Sequence, residues 1–293
     1  MVLITGASTG IGFATALRLH HLGWTVLAGV RKSEDGIQLK NSISTDADRM
    51  IPVILDVTSP AQILSARQFV LEKLKERKIS LRALINNAGI VVPGPLEYLP
   101  LSDFRHQFDV NVFGLLEVTQ TFLPELRKSQ GRIVNMSSIA GRTVTPLMGA
   151  YCASKHGVEV ISDSLRMELK NTGIQVCLIE PGSIDTPIWK KSLSQADDEP
   201  SHLPAMANKN YGSMMRSFQT LAKILAKSAE PVETVVHAIE HALTAKIPKT
   251  RYLVGKDAKR SLLTNLIPDR LRDSLILSVV NKYRNSTHPK AND

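Results

Sequence analysis

The chain has 293 residues, enough for one large α/β domain or two small ones. Hydrophobic residues make up 43% and aromatic residues 5%, so aliphatic side chains must fill the core; no window approaches the roughly 18 uninterrupted apolar residues of a transmembrane helix. The net charge of +9 gathers at the end, with 11 Lys/Arg against 4 Asp/Glu from position 246 onward, and no interleaved aromatic platform accompanies it, which argues against a nucleic-acid partner.

Val2–Thr5 reads as the first strand. No basic stretch with a long apolar run precedes it, so a cytoplasmic chain without a secretory signal is expected. Thr5-Gly6-Ala7-Ser8-Thr9-Gly10-Ile11-Gly12 follows directly and opens a helical stretch near Gly12–Leu22. Glycines there let the backbone approach a pyrophosphate, and the helix N-terminus supplies N–H donors, so Gly6, Ser8, Thr9, Gly10, Ile11 and Gly12 are candidate dinucleotide ligands. The second strand, Thr25–Val30, ends in Arg31-Lys32. A site for an unphosphorylated ribose usually carries Asp or Glu at this point. Val30 followed by two cations suits a 2′-phosphate instead, which predicts NADP(H) in preference to NAD(H) through Arg31 and Lys32. Solvated surface charge is the plain alternative for that pair.

The third strand, Ile51–Leu55, leads into Asp56-Val57 and a helical stretch over Pro60–Lys78. Asp56 can accept from an adenine amino group or cap the helix after Ser59-Pro60. The fourth strand, Ala83–Asn86, is followed by Asn87-Ala88-Gly89, a small-residue turn with room for a cofactor. A helical stretch over Phe104–Lys128 contains Asn111, and the fifth strand, Arg132–Ser137, is followed by Ser138. A helical stretch from Tyr151 to Thr172 and a sixth strand, Gln175–Glu180, complete the alternation, and Pro181-Gly182-Ser183-Ile184-Asp185-Thr186 follows that strand. Continuous apolar strands alternating with helices predict a single-domain, Rossmann-like, doubly wound parallel sheet with helices on both faces. Ligands in such a sheet bind at the carboxyl ends of the strands, where these motifs fall.

Tyr151-Cys152-Ala153-Ser154-Lys155 places Tyr and Lys four apart on one helix face. A phenol near pKa 10 is a poor base at neutral pH, and a neighbouring ammonium is expected to lower it. Ser138 can hydrogen-bond a reacting oxygen. Cys152 and Cys177 are far apart and belong to no C-x-x-C pair, so neither a disulfide framework nor a metal site is expected.

With Thr5–Gly12, Asp56, Asn86–Gly89, Asn111, Ser138, Tyr151, Lys155 and Pro181-Gly182 in this order and spacing, residues 2–187 resemble a classical short-chain dehydrogenase/reductase. The resemblance implies Tyr151 as general acid/base, with Lys155 as the partner that lowers its pKa and binds the nicotinamide ribose. It implies Ser138 as anchor of the substrate oxygen and Asn111 as holder of a relay water and cap of the helix backbone at once, the plain alternative for Asn111 being the cap alone. It also implies cofactor contacts from Val57, Ala88, Pro181, Gly182, the Ile184 backbone and the Thr186 hydroxyl. Asp185 departs from the small or apolar residue commoner before that Thr.

The tail segments Ala242-Leu243-Thr244, Pro248–Tyr252, Gly255–Lys259 and Leu266-Ile267-Pro268 resemble the ends of retinol and hydroxysteroid dehydrogenases, which implies a bulky apolar alcohol or ketone as substrate. Family practice implies a homodimer or homotetramer. Residues 187–230, including Asp197-Asp198-Glu199, read as an irregular substrate loop or lid in which Met206, Met214, Met215 and Phe218 can line an apolar pocket. Residues 246–293 read as a basic amphipathic extension broken at Pro268, suited first to cover the cleft or pack between subunits and second to weak peripheral membrane contact. The alternatives are a catalytically silent dinucleotide-binding sensor, which would not require Tyr151, and an isomerase or dehydratase, whose glycine spacing usually differs from the 6, 10, 12 found here.

Overall fold

The computed structural model of the chain describes residues 1–187 and 204–282. Seven strands form one parallel sheet: β1 (Val2–Ile4), β2 (Val26–Val30), β3 (Met50–Ile54), β4 (Ala83–Asn86), β5 (Arg132–Met136), β6 (Gln175–Pro181) and β7 (Arg251–Val254), in the order β3-β2-β1-β4-β5-β6-β7. The order reverses between β1 and β4, so the loops leaving these two neighbours diverge and open a crevice at the carboxyl edge. The register pairs Val2 with Ala83 and Ile4 with Ile85. The fold is the expected Rossmann-like doubly wound α/β sheet.

Alternate strand residues feed two cores. Val2, Ile4, Val26 and Ala28 pack on one face beneath helices α1 (Gly10–His21) and Val232–Thr244. Leu3, Leu27, Leu84 and Ile133 pack on the other, against the helix Pro60–Arg77 and the helix Gly114–Ser129. Burial of both faces explains why the strands read as unbroken aliphatic runs.

In chain order the remaining helices are α2 (Ser33–Asn41), α3 (Pro60–Arg77), α4 (Leu101–Phe108), α5 (Gly114–Ser129), α6 (Gly149–Glu168), α7 (Ala205–Lys227), α8 (Val232–Thr244), α9 (Lys256–Leu263) and α10 (Asp269–Lys282). Three differ from expectation. The stretch Phe104–Lys128 is two helices joined by a π turn at Asp109–Phe113. The segment read as an irregular lid contains the 23-residue α7, while Asp197-Asp198-Glu199 lies outside the described residues. The tail adds β7 to the sheet before it forms α9 and α10, and its last residues lie outside the described range. None of the described helices is long and apolar enough to cross a membrane.

Candidate active site

The glycine-rich turn is held from two sides. Thr5 Oγ1 accepts from the N–H groups of Asn87 and Ala88, each at 3.0 Å. Asn87 Nδ2 donates to Thr5 O at 3.0 Å and Gly6 O at 2.9 Å. Gly6 has φ +64, and a Cβ there would come within 2.9 Å of Ala88 Cα. A Cβ at Gly12 would strike Gly6 O and Asn87 Nδ2. The loops after β1 and β4 therefore pass at backbone contact, which side chains would prevent. The first turn of α1 carries no acidic residue, so its positive end is not neutralised by its own sequence. Thr9 is exposed, while Ile11 packs into the first core and fixes the turn. A pyrophosphate fits this cradle by shape and by charge.

At the outer end of the crevice, Arg31 and Lys32 are exposed between β2 and α2. Asp56 is half-buried; its Oδ1 accepts from Thr58 N at 2.9 Å and from Thr58 Oγ1 at 2.7 Å. The cap of α3 belongs to Ser59, whose hydroxyl accepts from Gln62 N, and not to Asp56. Val57 is buried where α5 passes closest, at Gly114. Pro181, Ile184 and Thr186 are buried, and Thr186 lies beside Gly10 with Pro187.

At the inner end, Gly89 faces Asn111 and Lys155; a Cβ there would lie 3.4 Å from Asn111 Oδ1 and 3.8 Å from Lys155 Nζ. Asn111 sits in the π turn, an irregularity frequent at functional sites. Its Oδ1 accepts from Ile90 N at 2.9 Å; its Nδ2 donates to Ile90 O and Ser154 Oγ, each at 3.1 Å. It thus ties the loop after β4 to α6 and does not cap a helix. Lys155 is 5% exposed and donates to Met136 O at 2.7 Å. Ser138 is buried at the end of β5, with Oγ accepting from Ala140 N at 3.2 Å.

Tyr151 packs with Val91, Met148 and Cys152, and Ala140 and Phe218 close over them. Of the residues read as able to line an apolar pocket, Phe218 packs against the Tyr151 cluster. Met206 is half exposed at the far end of α7 and does not. Burial pushes Tyr151 up to about 12, with the Ser138 hydroxyl pulling the other way, so the overall shift runs opposite to the lowering expected from a neighbouring ammonium. Burial also pushes Lys155 down to about 8, partly offset by Glu159. The ammonium is itself desolvated, lies 5.8 Å from the Tyr151 ring centre and is turned to a carbonyl.

Several contributors carry no motif. Behind Lys155, the buried Glu159 and Glu180 share Arg251, whose Nε lies 3.1 Å from each carboxylate, and Arg142 lies 3.5 Å from Glu180. Burial and the neighbouring Glu159 push the Glu180 carboxyl up. Across the cleft mouth, Tyr211 Oη donates to Glu97 Oε2 at 2.7 Å and Asn210 Nδ2 to Tyr98 Oη at 2.8 Å. The described residues contain no cluster of His, Cys, Asp and Glu that could hold a metal.

Residues 1–197 match the family model for short chain dehydrogenase. Retinol dehydrogenase 16 of Mus musculus is 40% identical, over 94% of this chain and 87% of that protein. Human 17-beta-hydroxysteroid dehydrogenase type 6 is 36% identical, with 94% of this chain and 87% of that protein covered. A short chain dehydrogenase from Burkholderia cenocepacia, solved in complex with NADP, superposes with a TM-score of 0.67 at 26% identity, covering 95% of this chain and 96% of that one. With matches of this extent laid over a site of this geometry, the chain belongs to the short-chain dehydrogenase family.

Proposed function

We propose that the chain interconverts a bulky apolar alcohol and its ketone or aldehyde at the expense of NADP(H), with NAD(H) as a weaker alternative. The observation that carries this reading is that Tyr151, Ser138 and Lys155 meet, all buried, at the carboxyl edge of the sheet, with Tyr151 set in an apolar cluster. Val91, Met148, Cys152 and Phe218 offer no charge to a substrate, which suits a retinoid, steroid or lipid-like body.

When bound, the nicotinamide dinucleotide gives or takes the hydride. Tyr151 holds a proton at its Oη and donates it to the carbonyl oxygen in reduction; a neutral phenol is the form burial favours. Ser138 Oγ donates to the same oxygen and fixes its position. Lys155, anchored by Met136 O, orients the ribose and favours departure of the Tyr151 proton. Asn111 holds the path by which Tyr151 is reprotonated. Gly6, Ser8, Thr9, Gly10, Ile11 and Gly12 bind the pyrophosphate, Asp56 and Val57 the adenine, Asn87, Ala88 and Gly89 the adjoining ribose, and Pro181, Gly182, Ile184 and Thr186 the carboxamide. Arg31 and Lys32, exposed beside the position where an acidic residue would discriminate against it, suit a 2′-phosphate.

The segment from Pro204 through α7 serves as the substrate lid. Self-association as a dimer or tetramer is supported by exposed Phe113, Val160 and Met167. Weak peripheral membrane contact by α10 is supported by exposed Leu271, Leu275 and Val279 near Arg270 and Arg272.

Replacement Tyr151→Phe tests the proton-transfer assignment. The expected outcome in steady-state kinetics is a fall of about 10²–10⁴-fold in kcat with the cofactor Kd unchanged. Retention of more than about a tenth of wild-type kcat contradicts the assignment.

A further inference from the structure

The loop Pro181–Thr186 is held by partners far along the chain. Gly182 N–H donates to Val254 O at 2.8 Å and Asp185 N–H to Glu230 O at 3.0 Å. Ser183 O accepts from Glu230 N–H at 3.0 Å. Ser183 N–H donates to the side chain of Asp257, Oδ2, at 2.7 Å. The bridge between Ile184 and Glu230 is parallel. With residues 183 and 185 making its bonds, the N–H and C=O of Ile184 turn away from Glu230. The backbone group proposed to meet the carboxamide is thus aimed by its two neighbours.

Among these partners, Asp257 is the one that reaches the loop with a side chain. Its other oxygen, Oδ1, accepts from Ala258 N–H at 2.8 Å in the first turn of α9. A Cβ at Gly182 would strike this carboxylate, and one at Gly255 would come within 2.7 Å of Oδ1. Both residues that flank the carboxylate therefore have to be glycine for it to sit there. Lys256 N–H donates to Glu230 Oε1 at 3.1 Å, so the turn between β7 and α9 also holds Glu230, the loop's other partner.

We propose that Asp257 is a positioning residue for the nicotinamide end of the site. Its carboxylate fixes Pro181–Thr186 so that Ile184 and Thr186 face the ring, and it makes the ring's geometry depend on the C-terminal segment. This rests on the cofactor role proposed above for that loop. Two N–H groups converge on one carboxylate, and hydrogen bonds to an ionised acceptor are the stronger kind. Asparagine has the same shape, but either orientation of its amide turns an NH₂ toward one of the two N–H donors.

The test is equilibrium binding of two ligands: NADPH, and 2′-phospho-ADP-ribose, which carries the adenosine end and no nicotinamide. Asp257→Asn is expected to bind 2′-phospho-ADP-ribose as the wild type does and NADPH about tenfold more weakly. The nicotinamide fluorescence of the bound complex is expected to shift toward that of free NADPH. Asp257→Glu, which restores the charge, is expected to recover part of the loss. Equal weakening of both ligands, or of neither, overturns the proposal. Gly182→Ala drives a methyl into the carboxylate from the loop side and should give the same split if Asp257→Asn does not fold; a Gly182→Ala chain with wild-type NADPH affinity and fluorescence overturns the proposal as well. A wild-type chain that does not bind NADPH more tightly than 2′-phospho-ADP-ribose overturns the reading of the loop itself, and this inference with it.

Discussion

Lys155 carries the clearest conflict between stability and function in the chain. Burial lowers its pKa from 10.5 to about 8, so between these values the folded chain binds fewer protons than the unfolded chain. Stability from this group therefore rises with pH across that window, and the burial penalty is fully present below about 8. Lys155→Met lacks the titration. In denaturant titrations at several pH values, the stability difference between wild type and Lys155→Met should move in favour of the wild type from about pH 8 to pH 10.5 and stay flat below. A difference independent of pH shows that Lys155 is not desolvated in the folded chain. Arg31 stands at the other end of the crevice, where it is exposed and close to the end of β2. Arg31→Ala should weaken NADPH by about tenfold or more and leave NADH within about twofold, as read by fluorescence titration; equal losses contradict a 2′-phosphate role. Residues that act through short local motifs, such as Gly6–Gly12 or Tyr151 with Lys155, are legible in sequence because backbone geometry fixes their spacing. Asp257 is not legible in that way: its contact with Ser183 spans 74 positions, and its meaning appears only when β7 docks beside β6. The proximity of Gly255 was the available signal.

At the scale of elements, strands buried on both faces announce themselves as aliphatic runs, and six of seven were readable. β7 escapes because Arg251 and Leu253 are only half-buried and the run is four residues long. The π turn escapes because one inserted residue leaves the apolar pattern of α4 and α5 nearly unchanged. α7 escapes for another reason. The residues it buries fully are Ala207, Gly212, Ser217 and Ala222, all small, while its larger apolar residues Met214, Phe218 and Leu221 are only half-buried among polar and charged neighbours, so the segment does not read as a core helix. A helix seated on small residues has little apolar area to hold it, and its mouth-side hold is polar: Tyr211 on Glu97, Asn210 on Tyr98, and an edge-on contact of the two tyrosine rings at 5.9 Å. Tyr211→Phe should therefore raise KM for bulky apolar substrates by about 2–10-fold, with the KM of a small ketone and the cofactor Kd unchanged. An unchanged KM for bulky substrates shows that α7 is not held over the cleft by this latch.

At the scale of the molecule, the sheet order sets where chemistry can occur. Its reversal between β1 and β4 opens the crevice, and the loops after β1, β4, β5 and β6 each deliver part of the site to that edge. The tail completes the enclosure: β7 extends the sheet, Asn265 Nδ2 donates to Arg142 O at 2.7 Å near the Ser138 turn, and α10 packs on α7. The described part of the basic tail, through Lys282, is thus built into the fold. The proposed chemistry passes hydride between a nicotinamide and an apolar carbonyl carbon while Tyr151 moves the proton. The measurement that tests it most directly uses NADPH deuterated at C4, each face in turn, with a panel of retinoid, steroid and fatty aldehydes or ketones. Mass spectrometry of the product follows the label in wild type and Tyr151→Phe. The account predicts deuterium on the former carbonyl carbon from one face only in the wild type, and a rate at least about a hundredfold lower in Tyr151→Phe. Binding of NADPH with no label transferred to any member of the panel, or transfer at the same rate in Tyr151→Phe, would contradict it.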